Sequence, residues 1–460
     1  MISAAVAFAA VLLGACRGLA QGIQADFESA DSIKQAAGII AGDAMNYYEG
    51  DQPGQTPGLL FLAPDPNPWW WAGGVLFATM AEYWHYTQDS QYNDVVKAAM
   101  VHQAGANQDF LTPNWTAHMG NDDQGFWGVA AMTAAEVNFD NPDPGDPQWL
   151  ATAQGVFNTM ATHKRWDETC GGGLRWQLNL YAQGYNYKNS ISNGLFFNLG
   201  ARLARYTDND TFSEWANRVW DWERSVGLIS DTYAVFDGAS INEDCKNINK
   251  AEYTYNSGIF LQGAAFLYNH TNGDPQWRER VSGLLDHMLA TFFPKNIAVE
   301  ITCQNDEKNL CVRDQLLHKG VVHRWLVTVA QVAPFTNEKI APVLRASGEA
   351  ALRQCNRGDN GQLCGFQWTS GQGDAPPNVG TQMTALSAVI STLYNKEQVS
   401  PPVTHDSGGT STGDNSAGSE DTEKDIMEKP PITAAGKAGA SILTLMVVVG
   451  FCSVLGWMIV

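Results

Sequence analysis

Two helical patterns alternate along this sequence, and each occurs six times between residues 26 and 396. The first is amphipathic: in its first copy Ile33, Ala36, Ile40 and Ala44 keep the spacing of one helical face. Its copies are 31–49, 90–104, 146–164, 209–226, 274–293 and 336–355. The second is apolar on all sides, and its copies are 69–86, 122–137, 190–206, 254–270, 319–333 and 380–395. Because a helix that is apolar all round is buried all round, the alternation predicts an all-α fold. We expect an (α/α)6 barrel of six inner and six outer helices, with an irregular helical bundle or an open solenoid as the alternatives.

The connections between these helices predict where a site lies. Links from an inner helix to the next outer helix are short, such as 87–89 and 271–273. Links from an outer helix to the next inner helix are long, and they cover 50–68, 105–121, 165–189, 227–253, 294–318 and 356–379. Long loops in a compact domain are usually functional. All six would emerge around the N-termini of the inner helices, where we expect a cleft.

The two ends of the chain predict sorting signals. Residues 1–20 form an apolar run that ends in Gly-Leu-Ala, which is typical of a cleaved signal peptide. Residues 397–437 are rich in Ser, Thr, Gly and Pro, which predicts a disordered, O-glycosylated stalk. Residues 438–460 carry no charge and no basic residue follows them, which favours a GPI-attachment signal over a single membrane span. We therefore expect one folded domain at 26–396, displayed at the cell surface and attached through GPI to the outer leaflet of the plasma membrane or to the cell wall.

Charge and cysteine content agree with an extracellular protein. The formal net charge of -20 gives a surface that repels nucleic acid. Six cysteines lie outside the terminal signals, and an even number in a secreted chain indicates disulfide bonds. Short spacings favour Cys303–Cys311 and Cys355–Cys364, which leaves Cys170–Cys245, although six cysteines allow about fifteen pairings. Sequons predict N-glycosylation at Asn114, Asn209 and Asn269.

The strongest chemical signal is an adjacent pair of acids, Asp122 and Asp123, in the stretch HMGNDDQGFWG. The pair begins the second apolar segment, which places it at the floor of the expected cleft. A helix N-terminus stabilises a carboxylate, so helix capping is one interpretation. Capping needs only one carboxylate, however, and aromatic residues flank the pair.

Two carboxyl groups in contact also suit glycoside hydrolysis. That reaction uses one ionised and one protonated carboxyl, and two carboxyls in contact cannot both ionise cheaply. Neighbouring aspartates do not easily reach the roughly 6.5–9.5 Å separation of inverting enzymes. The pair therefore predicts a retaining mechanism, in which Asp122 and Asp123 are the catalytic residues.

Aromatic and amide side chains near the starts of the apolar segments predict sugar contacts, because aromatic faces stack on sugars and amides bond to sugar hydroxyls. The candidates are Trp69, Trp70, Trp115, Asn121, Gln124, Trp127, Asn189, Asn193, Tyr255, Asn256 and Gln382. We interpret His318 and His323 as a loop and a core histidine and expect no metal. The sequence has no glycine-rich phosphate loop and no serine nucleophile elbow, and we expect no cofactor.

Three motifs resemble those of glycoside hydrolase family 76, the endo-α-1,6-mannanases: GNDDQGFW, KNSISNG at 188–194 and YTYNSG at 253–258. The resemblance covers 26–396, and the terminal signals resemble those of the fungal cell-wall branch of that family. It implies an (α/α)6 barrel with Asp122 as nucleophile and Asp123 as acid/base. It also implies a role in cell-wall biogenesis, with α-mannose of GPI-core glycans or mannan as donor and wall β-glucan as the acceptor that receives a mannoprotein.

Three functions are open on these observations. The chain could be a GPI-anchored α-1,6-mannosidase that works as a transglycosidase, or a plain hydrolase of α-1,6-mannan. It could also be a mannan-binding wall protein without turnover. The intact acid pair favours an enzyme, but fold and motif alone do not establish an activity.

Overall fold

The computed structural model of the chain describes residues 22–419, except 63, 64, 66, 113–117, 305–310, 371–373, 375, 397 and 398, together with the helix at 434–459. The predicted signal peptide at 1–20 and the predicted site residues Asn114 and Trp115 lie outside the described residues. The described chain is built around twelve long helices that alternate between two layers.

The inner and outer layers follow the two sequence patterns. The inner helices are α2 (Trp70–Thr87), α4 (Asn121–Glu136), α6 (Ser190–Thr207), α8 (Thr254–His270), α10 (Gln315–Val332) and α12 (Val379–Ile390). The outer helices are α1 (Ala30–Met45), α3 (Asn93–Ala104), α5 (Trp149–Met160), α7 (Asp210–Val226), α9 (Pro275–Phe292) and α11 (Asn337–Arg353). Each inner helix packs against the next, and α12 packs against α2. This contact closes the ring, so the (α/α)6 barrel is confirmed.

Close packing between inner helices depends on glycine at their contacts. A Cβ added to Gly125 of α4 would lie 2.8 Å from the Leu195 Cβ of α6. A Cβ on Gly258 of α8 would lie 2.8 Å from a methyl carbon of Val322 in α10. Aromatic rings fill the remaining space, as where Phe197 and Phe260 stack with their centroids 5.2 Å apart. Glycine is unfavourable inside a helix, but here it lets the inner helices pack side by side.

The long loops at one end of the barrel also contain short strands that the sequence patterns did not predict. Strands β1 (Tyr187–Asn189), β2 (Phe236–Ser240) and β3 (Ile248–Glu252) form an antiparallel sheet in which Lys188 faces Ala239. Strands β4 (Cys355–Arg357) and β5 (Leu363–Cys364) form an antiparallel pair. The strands are two to five residues long, so they stiffen the rim without changing the fold class.

Three disulfides brace the same rim, and the predicted pairing is confirmed. The bonds join Cys170 to Cys245, Cys303 to Cys311 and Cys355 to Cys364. The first joins the loop before β1 to the segment between β2 and β3. Its two cysteines are 75 residues apart in the chain. Each of the other two closes a short loop.

The two described sequons lie at helix ends. Asn209 is exposed and caps α7, where its side chain accepts a bond from the Thr211 N–H. The Asn269 side chain accepts from Arg205 Nε at 2.7 Å and donates to the Val332 carbonyl at 3.0 Å. Glycosylation at both positions stays a prediction.

The predicted stalk is wrong over residues 399–419, which form an ordered strap on the outside of the barrel. The strap starts at the base, where the Val403 N–H donates to the carbonyl of Glu136 at the end of α4. It then runs along α5, and the Gly418 N–H donates to the carbonyl of Asn107 in the loop after α3. The composition of the segment is that of a linker, but its backbone and polar side chains find partners on α5 that composition cannot reveal.

A buried hydroxyl provides a direct test of this strap. The Ser411 hydroxyl accepts a 2.9 Å bond from the Leu150 N–H, one of the otherwise unpaired donors in the first turn of α5. We expect Ser411→Ala to lower the free energy of unfolding by about 1 kcal/mol, measured by urea titration. Ser416→Ala is the matched control, because Ser416 is exposed and its hydroxyl donates to nearby Asp414, within the strap itself. Equal stabilities for the two variants would mean that the strap is not docked in solution.

The last helix, α13 (Ala434–Ile459), exposes apolar side chains from Ile442 to Phe451. Of the helices that the structure describes, none combines the length and the hydropathy needed to cross a membrane. The GPI-attachment signal at 438–460 stays a prediction.

Candidate active site

A cleft of about 700 Å³ opens at the rim where the inner helices begin. Its described lining comes from five of the six long loops and from the N-terminal parts of α2, α4, α8 and α10. Since the short links lie at the opposite end of the barrel, the location predicted from loop lengths is confirmed.

The acid pair lies in the first turn of α4, on the surface of this cleft. Gly120 is the N-cap residue, and its N–H donates to Asp123 Oδ2 at 2.6 Å. The Asp123 N–H donates in turn to Asp122 Oδ1 at 3.1 Å. A Cβ at position 120 would lie 2.2 Å from Asp122 Oδ1, so any larger residue there would displace the Asp122 carboxyl. Both carboxyls therefore take part in capping, and both also line the cleft.

The surroundings of the pair oppose full ionisation. Burial, followed by the neighbouring charge of Asp123, raises the pKa of Asp122 well above its usual range. Burial also raises the pKa of Asp123 to about 7, and the charge of Asp314 contributes in the same direction. Hydrogen bonds from backbone N–H groups and from the Asn189 side chain partly offset the effect on Asp122. Near neutral pH the pair therefore keeps at least one proton on its two carboxyls.

Four of the predicted sugar-contact residues line the cleft: Trp69, Trp70, Asn189 and Tyr255. Asn189 is also the N-cap of α6, where its side chain accepts from the Ser192 N–H. The Trp70 indole donates to Gln103 Oε1 at 2.7 Å, which fixes the orientation of its ring. The sequence pattern thus predicted four residues on the sides of the cleft in addition to the acid pair at its floor.

Three predicted contacts beside the pair are structural instead. Arg165, which is buried, donates from Nη1 to Asn121 Oδ1 at 2.8 Å and to Gln124 Oε1 at 2.5 Å. The Asn121 side chain also donates to the Arg175 carbonyl. The Trp127 ring is fully buried, and its indole N–H donates to the Trp70 carbonyl. These positions point between helices, because successive residues of a helix face different directions.

Three predicted contacts on other inner helices are also away from the cleft lining. The Asn193 side chain exchanges bonds with both backbone groups of Leu174. The Gln382 side chain does the same with Cys364. Asn256 is fully buried in α8. Asn193 and Gln382 therefore hold rim loops in place, where the sequence analysis expected bonds to sugar.

Several lining residues, all from the long loops, were not predicted from the sequence: His118, Trp176, Gln177, Tyr187, Asp237, Arg313 and Asp314. His318 was predicted to be a loop histidine, but it lies in α10 and lines the cleft. Its ring stacks on Tyr255 at 3.8 Å with a 7° interplanar angle. An aromatic or charged residue within a long rim loop was the available signal, but loop sequence alone does not tell which of these residues turn inward.

Asp237 forms a polar wall with two neighbours. The Tyr187 hydroxyl donates to Asp237 Oδ2 at 2.6 Å, and the Asn249 amide donates to the same oxygen at 3.0 Å. Burial raises the pKa of Asp237 from its ordinary value. The three residues sit on β1, β2 and β3, so the small rim sheet brings them together.

Trp176 belongs to a loop that is held from beneath by a buried lysine. Lys188 Nζ donates to Asp167 Oδ1 at 2.8 Å and to the Gly172 carbonyl at 2.6 Å. Burial lowers the pKa of Lys188 to about 8, although the Asp167 carboxylate opposes this shift. The Trp176 carbonyl accepts from the Asn121 N–H at 2.8 Å, which ties the loop to the first turn of α4. One face of the Trp176 indole packs on Gly184, where a Cβ would approach to 2.4 Å.

This arrangement has the parts that glycoside chemistry needs. Two carboxyls that share a proton lie at the floor, and aromatic rings from Trp69, Trp71, Trp176 and Tyr255 stand around them. A carboxylate and a carboxylic acid side by side can act as nucleophile and general acid at a glycosidic bond.

Comparison with known proteins agrees with this assignment. The glycosyl hydrolase family 76 model matches residues 32–406. The chain is 41% identical over 441 residues to the mannan endo-1,6-alpha-mannosidase DCW1 of Candida glabrata, which covers 95% of this chain and 96% of that protein. The crystal structure of Dfg5 from Chaetomium thermophilum in complex with glucosamine superposes with a TM-score of 0.83 at 44% identity, covering 88% of this chain and 99% of that one.

A more distant structure shares the fold. An inactive variant of an α-1,6-mannanase from Salegentibacter, in complex with α-1,6-mannotriose, superposes with a TM-score of 0.62 at 16% identity and covers 79% of this chain and 99% of that one. Since the family match spans most of the chain and the barrel carries a paired-carboxyl cleft, this chain is a glycoside hydrolase that belongs to glycosyl hydrolase family 76.

Proposed function

We propose that this protein is a retaining α-1,6-mannosidase that acts mainly as a transglycosidase in cell-wall biogenesis. Its donor would be an α-mannose glycan, either the core glycan of GPI or mannan, and its acceptor would be wall β-glucan. The observation that carries the proposal is the acid pair, whose two carboxyls lie side by side at the floor of an aromatic cleft and both have a raised pKa.

The roles of the two acids follow the resemblance of GNDDQGFW to the family motif, in which the first acid is the nucleophile and the second is the acid/base. Both carboxyls accept a backbone N–H, Asp122 from Asp123 and Asp123 from Gly120. We assign Asp122 as nucleophile and Asp123 as acid/base.

In the first step Asp122 attacks the anomeric carbon of mannose, and the glycosidic C–O bond breaks. Asp123 gives its proton to the departing oxygen, and a glycosyl ester to Asp122 remains. In the second step a hydroxyl group of the acceptor attacks the same carbon and loses its proton to Asp123. The ester bond breaks and Asp122 is again a carboxylate.

The charge of the cleft supports a donor that contains an amino sugar. Asp122, Asp123, Asp237 and Asp314 all line it, and Arg313 forms an ion pair with Asp65, with 2.6 Å between Nη1 and Oδ2. Carboxylates in a partly enclosed cleft attract a cationic amine. The Chaetomium Dfg5 structure holds glucosamine, which is an amino sugar.

Two other functions make different predictions. A plain hydrolase of α-1,6-mannan would release the same donor but pass it to water. A mannan-binding wall protein would bind glycan without changing it. Mannan endo-1,6-alpha-mannosidase is the name given to the Candida relative, so hydrolysis is the second candidate.

Mixing the folded protein with a GPI-core glycan and a β-glucan oligosaccharide, followed by mass spectrometry, separates the three. We expect a joined donor–acceptor product that is absent with Asp122→Asn. A cleaved donor without joined product would identify a hydrolase, and an unchanged donor would support a binding protein.

The sorting signals are part of this proposal. A signal peptide at 1–20 and GPI attachment through 438–460 would bring the enzyme to the outer leaflet of the plasma membrane or into the wall, where its acceptor is located.

The shared proton predicts a pH dependence. The reaction needs one carboxyl ionised and one protonated, while the pKa of Asp123 is raised to about 7 and that of Asp122 well above its usual range. Both carboxyls are therefore protonated at acid pH, and we expect kcat/KM to rise about tenfold for each pH unit up to pH 7 and to level off above it. Initial rates of donor cleavage between pH 4 and 9 measure this. A rate that is already level at pH 4 would show that the pair does not lose its first proton near pH 7.

A further inference from the structure

The strap at 399–419 begins by crossing the base of the barrel, which is the end opposite the cleft. Its first residues contact the C-terminal ends of four inner helices, α2, α4, α6 and α10. The helix residues that make these contacts are His85, Glu136, Arg205 and Gln331. Arg205, for example, donates from its guanidinium to the carbonyls of Pro402 and Val403 at 2.9 and 3.2 Å. The strap therefore lies across the ring of inner helices at the base.

The strap then turns and follows the outside of α5 toward the rim. Helix α5 begins at the base, where it follows α4, and ends at the rim. In its first turn the Leu150 N–H donates to the Ser411 hydroxyl. In its last turn the Asn158 amide donates to the carbonyls of Asn415 and Ala417 at 3.1 and 2.9 Å. The order of contacts along the strap thus matches the order of residues along α5, and the chain ascends the full length of this helix.

This route returns the chain to the end of the barrel that carries the cleft. Helix α12 ends at the base, so a tether that left directly from there would emerge on the face away from the cleft. The strap instead ends beside the rim loop that follows α3, where the Gly418 N–H donates to the Asn107 carbonyl at 2.8 Å. Only residues 420–437 then remain before the predicted GPI-attachment signal at 438–460.

The same end of the barrel exposes apolar side chains. Six large hydrophobic side chains are exposed within the described part of residues 22–419, and five of them lie in the long rim loops. Those five are Phe61, Trp176, Tyr181, Ile301 and Val312, and the sixth is Ile39 of α1. Single exposed apolar residues are normal on a protein surface, but here they collect around the cleft and the end of the strap. Tryptophan and tyrosine are favoured at the level of lipid head groups.

We propose that the strap fixes the point where the membrane tether leaves the barrel, so that the cleft opens toward the outer leaflet and the apolar rim contacts its head groups. This inference rests on the function and the GPI attachment proposed above. It narrows the donor to a glycan carried by a lipid in the same membrane, which such a cleft meets at a high effective concentration. The net charge of -20 does not oppose the contact, because anionic lipids are concentrated in the cytoplasmic leaflet.

Energy transfer to the membrane tests the orientation directly. The protein with its own lipid anchor is placed on phosphatidylcholine vesicles that contain an acceptor dye, and a donor dye is attached at Gln55→Cys or at Ser90→Cys. Both positions are exposed and away from the cleft lining, Gln55 in a rim loop and Ser90 at the base. Because an 18-residue inner helix such as α2 spans about 27 Å between these two ends, we expect at least about twofold more transfer from the rim label. Equal transfer, or more from the base label, would overturn the proposal.

Release of the strap gives a second test. In Gln154→Ala with Asn158→Ala, α5 loses its side-chain bonds to Asp414, Asn415 and Ala417. We expect the difference between the two labels to disappear. Cleavage of a synthetic GPI-core glycolipid in the same vesicles should fall about threefold, because the tether becomes longer. Cleavage of the soluble GPI-core glycan should stay at the wild-type rate, which also shows that the variant is folded.

Asn217→Ala is the matched control, because Asn217 is exposed on α7 and its side chain donates to the Ser213 carbonyl of the same helix. It should change neither the labels nor the two rates. An undiminished rate on the glycolipid in the strap variant, or an equal fall on both donors, would overturn the role of the strap. Absence of cleavage of the soluble glycan by the wild-type protein would overturn the proposed function itself, while the labels still report the orientation. A protein recovered without a lipid anchor would overturn the proposed sorting and this orientation together.

Discussion

Asp122→Asn and Asp123→Asn are each expected to remove nearly all turnover while the barrel stays folded. Loss of a nucleophile lowers kcat by on the order of 10⁴–10⁶-fold, and loss of a general acid or base lowers it by roughly 10²–10⁴-fold. Asparagine preserves the size of each side chain and its acceptor oxygen, so the bonds from Gly120 and Asp123 N–H groups can persist. Mass spectrometry of the donor and the joined product measures the loss. Full activity in both variants would exclude the acid pair as the catalytic centre.

The stability of Asp123→Asn gives an independent check. A carboxyl whose pKa is raised by folding contributes stability that is present at low pH and lost as pH rises through the folded value. For Asp123 the loss falls between about pH 4 and pH 7. The asparagine variant cannot ionise, so it should be more stable than wild type at pH 8, on the order of 1–3 kcal/mol after allowing for the partial exposure of the carboxyl. At pH 4 the two proteins should unfold at similar urea concentrations. If the variant is more stable than wild type at pH 8, the variant is folded and the ionised Asp123 carboxyl destabilises the native protein.

The largest stability effect is expected from the core ion pair between Arg202 of α6 and Glu136 of α4. Arg202 Nη2 lies 2.6 Å from Glu136 Oε2 and also donates to the Thr133 hydroxyl, and both charged side chains are about 2% exposed. Arg202→Ala leaves a buried carboxylate without its cation. We expect a loss of about 3–5 kcal/mol in the free energy of unfolding, measured by urea titration at pH 7.

Two comparisons make this prediction specific. Lys246→Ala removes one partner of an exposed pair with Asp244, and it should change stability by less than about 0.5 kcal/mol. Replacing both core partners with Met, as Arg202→Met with Glu136→Met, should recover part of the loss because no unpaired charge remains. Equal effects for Arg202→Ala and Lys246→Ala would show that the core pair is not desolvated as the structure indicates.

Much of the fold follows from local physics that a sequence displays directly. An apolar run such as the one from Tyr253 to Asn269, which has no Asp, Glu, Lys or Arg, can only be a buried helix in a protein of this size. The number of such runs and the difference in loop lengths then define the barrel and the end that carries the cleft. The disulfide pairing also followed from spacing, because short loops close most easily.

The strap at 399–419 could not be predicted from the sequence of that segment. Its composition matches a disordered linker, and composition reports only how much apolar surface a segment can bury. The strap is held mainly by hydrogen bonds: the Val403 N–H donates to α4, and the Ser411 hydroxyl accepts from α5. Such bonds need a matching surface elsewhere in the fold. Ser411 and Leu150, for example, are more than 250 residues apart in the chain. The sequence of the strap alone therefore cannot reveal them.

The candidate site divides in the same way. The sequence by itself determined that two adjacent carboxyls begin a buried helix, and that aromatic residues such as Trp69 and Tyr255 stand at the starts of neighbouring helices. Only the tertiary structure decided that Asn121 and Gln124 turn to a buried arginine, and that Asp237, Asp314 and His318 turn to the cleft. The physical reason is that helix periodicity is a local property, readable from residue spacing. The direction of a loop side chain depends instead on partners from distant parts of the chain, and in this protein those partners include the groups that set the charge around the acid pair.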